Sequence, residues 1–173
     1  MDVVGLDISS TSTGVCVFKP TRKKVYLFAV ERLTKSIDKS KAFRTDIHPK
    51  EFTTQVIAIL EKLKVKGEYG LCIEKYTPGK NKNSQWVPVW LQGYIAGVLE
   101  HLPGSCPKID YVHQSIWKYT LIGHRTKGKE FVREKTFERV QALKYKLLLE
   151  TSFESEDAYD AFGIAYWYWK TYC

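Results

Sequence analysis

The segment "VVGLDISSTSTGVCVF", residues 3–18, places an acid at the end of one apolar run and starts a second apolar run shortly after it. The first run is typical of a buried strand, and the Ser and Thr residues leading to Gly14 are typical of a connection between strands. A buried carboxylate without a partner is costly enough that it normally takes up a proton. The position of Asp7 therefore predicts an unusual environment at the end of the first strand.

A second acid occupies the same kind of position. The run "LCIE" ends at Glu74 as "VVGLD" ends at Asp7, so neighbouring strands would bring both carboxylates to one edge of a sheet. Two carboxylates 4 Å apart repel by about 4 kcal/mol at an effective dielectric constant of 20. A divalent cation would offset this repulsion, and hard oxygen ligands select Mg²⁺ or Mn²⁺.

The last apolar segment, "EDAYDAFGIAYWYW", carries two further acids. Asp157 and Asp160 are three residues apart and share one face of the predicted helix. Ile164 and Trp167 continue the face of Asp160, which predicts that this acid points into the protein. An alternative stays open for Asp157, because an acid in the first helical turn also complements the helix dipole. Together the acids predict four carboxylates around two metal ions able to clamp a phosphodiester.

The remaining pattern predicts an α/β fold in one domain, residues 1–173, with a mixed five-stranded sheet and helices on both faces. The strands are expected at 2–8, 13–18, 24–31, 69–76 and 109–113, and the first three form an antiparallel meander. Residues 32–49 are expected to form a surface loop. Helices are expected at 49–65, 88–102, 114–123 and 130–149, and a last helix, opened by "ETSFESED", runs to about Tyr172.

Composition narrows the class of partner. Lys and Arg number 27 against 19 Asp and Glu, a net charge of +8, which favours a polyanion such as nucleic acid; a basic but inert surface stays open on charge alone. The four cysteines form no C-x-x-C pair, and Cys16 and Cys72 lie inside apolar strand-like runs, which predicts small core residues in a reducing compartment and not disulfides or zinc ligands. No basic segment precedes an apolar stretch at the N-terminus and no 18-residue apolar run occurs, so we expect a cytoplasmic protein without a membrane partner.

Four ordered segments, "GLDISSTSTG", "CIEKYTPGKNKNS", "IWKYTLIGHRTKGKE" and "EDAYDAFGIA", together resemble the RuvC-type Holliday junction resolvases. The resemblance implies an RNase H-like fold and a Mg²⁺-dependent endonuclease that nicks four-way DNA junctions as a homodimer. Two ions per site are implied, with Mn²⁺ as a substitute. The residues that match the metal-binding catalytic acids are Asp7, Glu74, Asp157 and Asp160, and Lys129 is assigned to offset negative charge in the reaction.

The resemblance also implies that Lys118 and Lys129 contact DNA. Basic residues interleaved with aromatic ones predict further contacts at Lys80, Lys82, Tyr76, Arg125 and Lys127, because aromatic side chains in a basic loop can stack on unpaired bases. Trp90 is expected to pack in the core, whereas Trp86 stays open between core and DNA. Gly93 and Gly97 predict a smooth helix face for a sheet or a partner subunit, and the resemblance implies dimerisation through this helix.

Three other functions remain as alternatives. A nuclease of the same fold could act on flaps, forks or RNA–DNA hybrids. An ATP-binding protein of the actin and sugar-kinase type also begins with an acid and a Ser/Thr–Gly turn, but 173 residues cannot supply its two lobes, so no nucleotide cofactor is expected. A DNA-binding module without catalysis is disfavoured, because four acids would repel the phosphates that it binds.

Overall fold

The computed structural model describes residues 1–9, 12–31, 49–76, 86–126, 128–150 and 156–173. Within these ranges the chain forms six strands, five α-helices and one short 3-10 helix, Pro20–Arg22. The strands are β1 (Val3–Ile8), β2 (Ser12–Lys19), β3 (Lys24–Glu31), β4 (Gly67–Lys75), β5 (Ser105–His113) and β6 (Lys146–Leu149). The helices are α1 (Pro49–Lys62), α2 (Trp86–Glu100), α3 (Gln114–Ile122), α4 (Lys129–Ala142) and α5 (Glu156–Tyr172).

The strands form one mixed sheet in the order β5-β4-β1-β2-β3-β6. Strands β1, β2 and β3 make the antiparallel meander that the sequence predicts. Strands β4 and β5 extend the sheet in parallel from the free edge of β1, and β6 lies parallel to β3 at the other edge. The mixed α/β prediction is confirmed, with six strands where the sequence predicted five.

The sixth strand corrects the prediction of one helix over residues 130–149. Helix α4 ends at Ala142, and Lys144 adopts a left-handed backbone conformation with φ of 56°. Residues beyond this turn pair with β3, so that Val25 faces Leu147. The apolar spacing of the segment fits a helix face, but the unpaired edge of β3 offers backbone hydrogen bonds that a longer helix would leave unused.

The two faces of the sheet carry different helices. Val3, Cys16 and Cys72 point into a core with α3, α4 and α5, whereas Val4, Leu6 and Val15 point into a second core with α1 and α2. This alternation follows from the two-residue period of a strand. Helices on both faces are therefore confirmed.

Helix α5 lies unusually close to the sheet because three strand residues that face it are glycines. A Cβ added to Gly5 would overlap the carbonyl of Ala161, and one added to Gly14 would overlap the carbonyl of Asp157. A Cβ added to Gly70 would overlap the ring of Tyr168. The glycines thus let the backbone of α5 rest directly on β1 and β2, and the ring of Tyr168 rest on β4.

Several local predictions are settled by the described residues. Pro49 begins α1, and Gly123 ends α3 with a φ of 70°. Trp90 is 42% exposed, so its predicted place in the core is wrong. Position 90 lies on the outer side of α2, where helical spacing alone does not distinguish an exposed aromatic from a buried one.

The predicted loop 32–49 lies outside the described residues except for Pro49. Among the described helices, none is long and apolar enough to span a bilayer.

Candidate active site

The register of β1 and β4 brings the two strand-end acids together. The parallel pairing runs to Leu6 and Ile73, so the next residues along the two strands are Asp7 and Glu74. Both are two positions beyond residues that face α5, namely Gly5 and Cys72. The strand period therefore directs both carboxylates to the face that α5 covers.

Helix α5 supplies the other two acids at its N-terminal end. Asp157 is in the first turn, and its backbone lies against Gly14, the residue that pairs with Asp7 across β1 and β2. Asp160 is 4% exposed, which confirms that it points into the protein. Three separate elements thus bring the four predicted acids to one end of the sheet.

The electrostatics show that these acids interact. Burial raises the pKa of Asp7 well above its usual range, and the charges of Glu74 and Asp160 raise it further. Burial also raises the pKa of Glu74, although a hydrogen bond from Trp117 and the charge of Lys118 oppose this shift. Both groups are therefore costly to hold as anions unless a cation joins them.

Asp160 has a buried oxygen that no group of the described chain satisfies. Its Oδ1 atom is buried and has no hydrogen-bond partner among the described residues. Burial raises the pKa of Asp160 to about 7; the charge of Lys118 lowers it and that of Glu74 raises it. A buried polar atom without a partner is unfavourable, which makes this oxygen a candidate contact for an ion.

Asp157 differs from Asp160, because both of its oxygens have partners within the chain. The hydroxyl of Ser12 donates to Oδ2, and the ammonium of Lys129 donates to Oδ1 over 3.1 Å. The alternative in which Asp157 has a structural role at the start of α5 therefore gains support beside the ligand role.

Two predicted lysines lie near the acids, in different settings. Lys129 begins α4, is about half exposed and pairs with both Asp157 and Glu156. Desolvation lowers the pKa of Lys129, but the hydrogen bond and charge of Asp157 raise it to a net value above its usual range. Lys118 is only 8% exposed, and its charge acts on Glu74 and Asp160. The predicted contact of Lys118 with DNA stays a prediction. In the structure Lys118 lies near Glu74 and Asp160.

A cavity of about 190 Å³ opens beside the strand-end acids. It is lined by Asp7, Glu74 and Tyr76, together with Ile8, Gln92 and Gln114. The amide of Gln92 donates to the carbonyl of Glu74 over 2.7 Å and so ties α2 to the end of β4. Tyr76, a predicted DNA contact, thus lines the same cavity as Asp7 and Glu74.

The donor set fits a hard divalent cation, but it is not already closed around one. Among the described residues, no three His, Cys, Asp or Glu side chains are grouped tightly enough to hold a metal ion. Carboxylate oxygens are the donors that Mg²⁺ prefers, and Asp160 offers one that is buried without a partner. Asp7, Glu74 and Asp160 therefore fit the ion in chemistry.

The remaining predicted DNA contacts are only partly described. Arg125 is exposed and lies 5.8 Å from the ring centre of Tyr119 on α3, which is itself exposed. Lys80, Lys82, Lys127 and the side chain of Trp86 lie outside the described residues.

Sequence reasoning missed two residues that contact the acids. Trp117 donates from Nε1 to Oε2 of Glu74 over 2.7 Å, and Ser12 donates to Asp157. An apolar residue in a helix normally indicates core packing, so Trp117 carried no separate signal. Ser12 begins β2, five residues after Asp7, and this closeness to the first acid was the available signal for its contact with Asp157.

Comparison with known proteins identifies the fold. No family model and no curated protein sequence matches the chain. The structure matches Thermus thermophilus RuvC with a TM-score of 0.64 at 17% identity, covering 99% of this chain and 96% of that one. It matches T. thermophilus RuvC in complex with a Holliday junction substrate equally well, over 96% of this chain and 92% of that one.

A third match is the yeast mitochondrial Holliday junction resolvase Ydc2. The TM-score is 0.55 at 17% identity, over 96% of this chain and 76% of that one. The predicted RNase H-like fold is thereby confirmed. Over nearly its whole length, at low sequence identity, this chain has the fold of the RuvC and Ydc2 Holliday junction resolvases.

Proposed function

We propose that the protein is a structure-selective endonuclease that nicks four-way DNA junctions by Mg²⁺-dependent hydrolysis of phosphodiester bonds. The observation that carries the proposal is the convergence of Asp7, Glu74 and Asp160 at one end of an RNase H-like sheet, where the buried Oδ1 of Asp160 has no hydrogen-bond partner among the described residues. A protein that only bound phosphates would gain nothing from acids there, since they repel its ligand.

Asp7, Glu74 and Asp160 would hold the ions, with Asp7 central because it interacts with all three other acids. Bound there, Mg²⁺ supplies an acidified water and neutralises charge on the phosphate. The chain's own contribution is position: the strand ends fix Asp7 and Glu74, and the close approach of α5 fixes Asp160. Lys129, already beside Asp157, brings a positive charge to where negative charge develops.

Junction DNA as the substrate is supported by charge and by the fold. The chain carries a net charge of +8, and one structure with the same fold is a RuvC bound to a Holliday junction. Arg125, just beyond the C-terminal end of α3, forms an exposed cation–aromatic pair with Tyr119 of α3, the helix that contacts Glu74. Such a pair suits phosphates and unpaired bases at a branch point.

A homodimer is the proposed working form. Val89, Trp90 and Tyr94 are exposed large apolar residues of α2. A Cβ added to Gly93 or Gly97 would meet no atom of the described chain within 4 Å, so this face is open to another backbone. A second copy joined through α2 would present two sites to a junction of approximate two-fold symmetry.

The test is cleavage of a substrate panel in Mg²⁺: four-way junction, flap, fork, RNA–DNA hybrid and linear duplex. The proposal predicts paired nicks in the junction and little cleavage of linear duplex. Preference for flaps or hybrids would support the broader nuclease instead.

Asp7→Asn is the matching active-site variant, and we expect it to bind junctions while losing the nicking activity. Asp110→Asn is the control, because Asp110 accepts a hydrogen bond from Tyr172 in a separate pocket near Met1. Normal nicking by Asp7→Asn would refute the proposed site.

A further inference from the structure

Trp117 forms a direct link between α3 and the acid at the end of β4. Its side chain is 0% exposed, and Nε1 donates to Oε2 of Glu74 over 2.7 Å. An indole N–H can only donate a hydrogen bond, and it neither titrates in water nor ligates a metal. The bond therefore acts on one oxygen of Glu74 at every pH at which the carboxylate is ionised.

The position of the indole is fixed by the helix that carries Asp160. Gly163, one turn after Asp160 on α5, lies so close that an added Cβ would overlap the six-membered ring of Trp117. An added Cβ there would also lie 3.3 Å from Leu121 of α3. The indole is thus held between α3 and α5, and its N–H cannot follow Glu74 if that side chain rotates.

This arrangement makes the two oxygens of Glu74 unequal. Oε2 accepts the Trp117 N–H with one of its two lone pairs, so a cation that took both oxygens of Glu74 would have to compete with this bond for the orientation of the carboxylate. Contact through Oε1 alone leaves the bond undisturbed. Ca²⁺ readily accepts both oxygens of one carboxylate, whereas Mg²⁺ requires near-octahedral geometry and takes single oxygens. A carboxylate restricted to one oxygen is therefore better suited to Mg²⁺ than to Ca²⁺.

We propose that Trp117 is a positioning residue that restricts Glu74 to single-oxygen contact and thereby makes the site select Mg²⁺ over Ca²⁺. The inference rests on the proposed function, since it assumes that the acids bind a divalent cation. It goes further by assigning the selectivity to a residue that contacts neither metal nor DNA.

The test measures the dissociation constants of Mg²⁺ and Ca²⁺ by calorimetry for the wild type and for Trp117→Phe. Outer hydrogen bonds to metal ligands typically change affinity by about 10- to 100-fold. We expect Trp117→Phe to lower the preference for Mg²⁺ over Ca²⁺ by about 10-fold. Trp169→Phe is the matched control, because Trp169 packs on Phe18 and Tyr166 near the other end of α5, and its variant should keep the wild-type preference.

Tryptophan fluorescence gives a second readout. Addition of Mg²⁺ should change the emission of the wild type and of Trp169→Phe, and this change should be absent in Trp117→Phe. Gly163→Ala provides a variant that keeps the indole but displaces it, and it should lower the Mg²⁺ preference in the same direction.

The outcomes separate this inference from the proposed nuclease. Junction cleavage with an unchanged ion preference in both Trp117→Phe and Gly163→Ala would overturn the inference alone. A changed preference without junction cleavage by the wild type would overturn the nuclease alone. Failure of the wild type to bind either ion would overturn both the inference and the Mg²⁺-dependent nuclease.

Discussion

Gly14 lies directly against the backbone of Asp157 at the start of α5. The same glycine pairs with Asp7 across β1 and β2. A side chain at position 14 would occupy the space of the Asp157 carbonyl. The lack of a side chain at Gly14 thus allows the start of α5, with its two acids, to lie close to the strand-end acids.

The first prediction concerns this contact. Gly14→Ala should force α5 away from β2, lower the free energy of unfolding by about 1–3 kcal/mol and reduce junction nicking. Thermal unfolding and a nicking assay at a temperature where the variant stays folded would measure both effects. Gly128→Ala is the control, since an added Cβ there meets nothing within 4 Å in the described chain and φ is −69°. Equal stability of the Gly14→Ala variant and the wild type would contradict the close contact.

The second prediction separates the two acids of α5. Asp160→Asn should abolish nicking, because Asp160 offers a buried oxygen without a partner. Asp157→Asn should retain measurable activity, because Ser12 and Lys129 already bind both oxygens of Asp157. Nicking rates at saturating Mg²⁺ make the comparison. Greater activity in Asp160→Asn than in Asp157→Asn would reverse our assignment.

The third prediction concerns Lys129. Lys129→Ala should slow nicking by about 10²-fold, the usual effect of removing one group that stabilises transition-state charge. Its stability should change by less than about 1 kcal/mol, because the pairs with Asp157 and Glu156 are partly exposed. Lys135→Ala removes a comparable lysine of α4, paired with Glu138, and should nick normally. Equal rates for the two variants would argue against a role for Lys129 in the reaction.

The fourth prediction concerns stability and pH in EDTA. The pKa of Asp160 is raised to about 7 from an ordinary value of 3.8, so between these values the folded chain binds more protons than the unfolded chain. The free energy of unfolding must then fall as pH rises across this window. We expect Asp160→Asn to melt higher than the wild type at pH 8, and the difference to shrink near pH 4.

Melting curves across this pH range give the comparison, with the exposed Glu134 changed to Gln as the control. A domain of this size gains about 2–4 °C for each 1 kcal/mol. A melting temperature of Asp160→Asn below that of the wild type at pH 8 would show that the Asp160 carboxylate does not strain the folded chain.

Much of this site was predictable, because Asp7 and Glu74 follow apolar runs whose strand character is strong in the sequence. Asp160 was predictable because Ile164 and Trp167 mark its face of the helix as buried. The short strand β6 was not, since Val140, Leu143 and Leu147 keep a helical spacing through the turn at Lys144. The pairing of Lys146–Leu149 with β3 is a long-range effect that a local pattern does not contain.

The contacts around the acids were harder to predict for a similar reason. A buried tryptophan has the same sequence signature whether its N–H meets a backbone carbonyl or a carboxylate, so Trp117 was indistinguishable from ordinary core. The role of Gly14 depends on which helix crosses β2, and that is a property of the tertiary structure.

The most direct test of the central claim is the anomalous scattering of a crystal grown with Mn²⁺. We predict anomalous density bonded to oxygens of Asp7, Glu74 and Asp160. The claim would be contradicted if these side chains pointed away from one another and no ion lay between them.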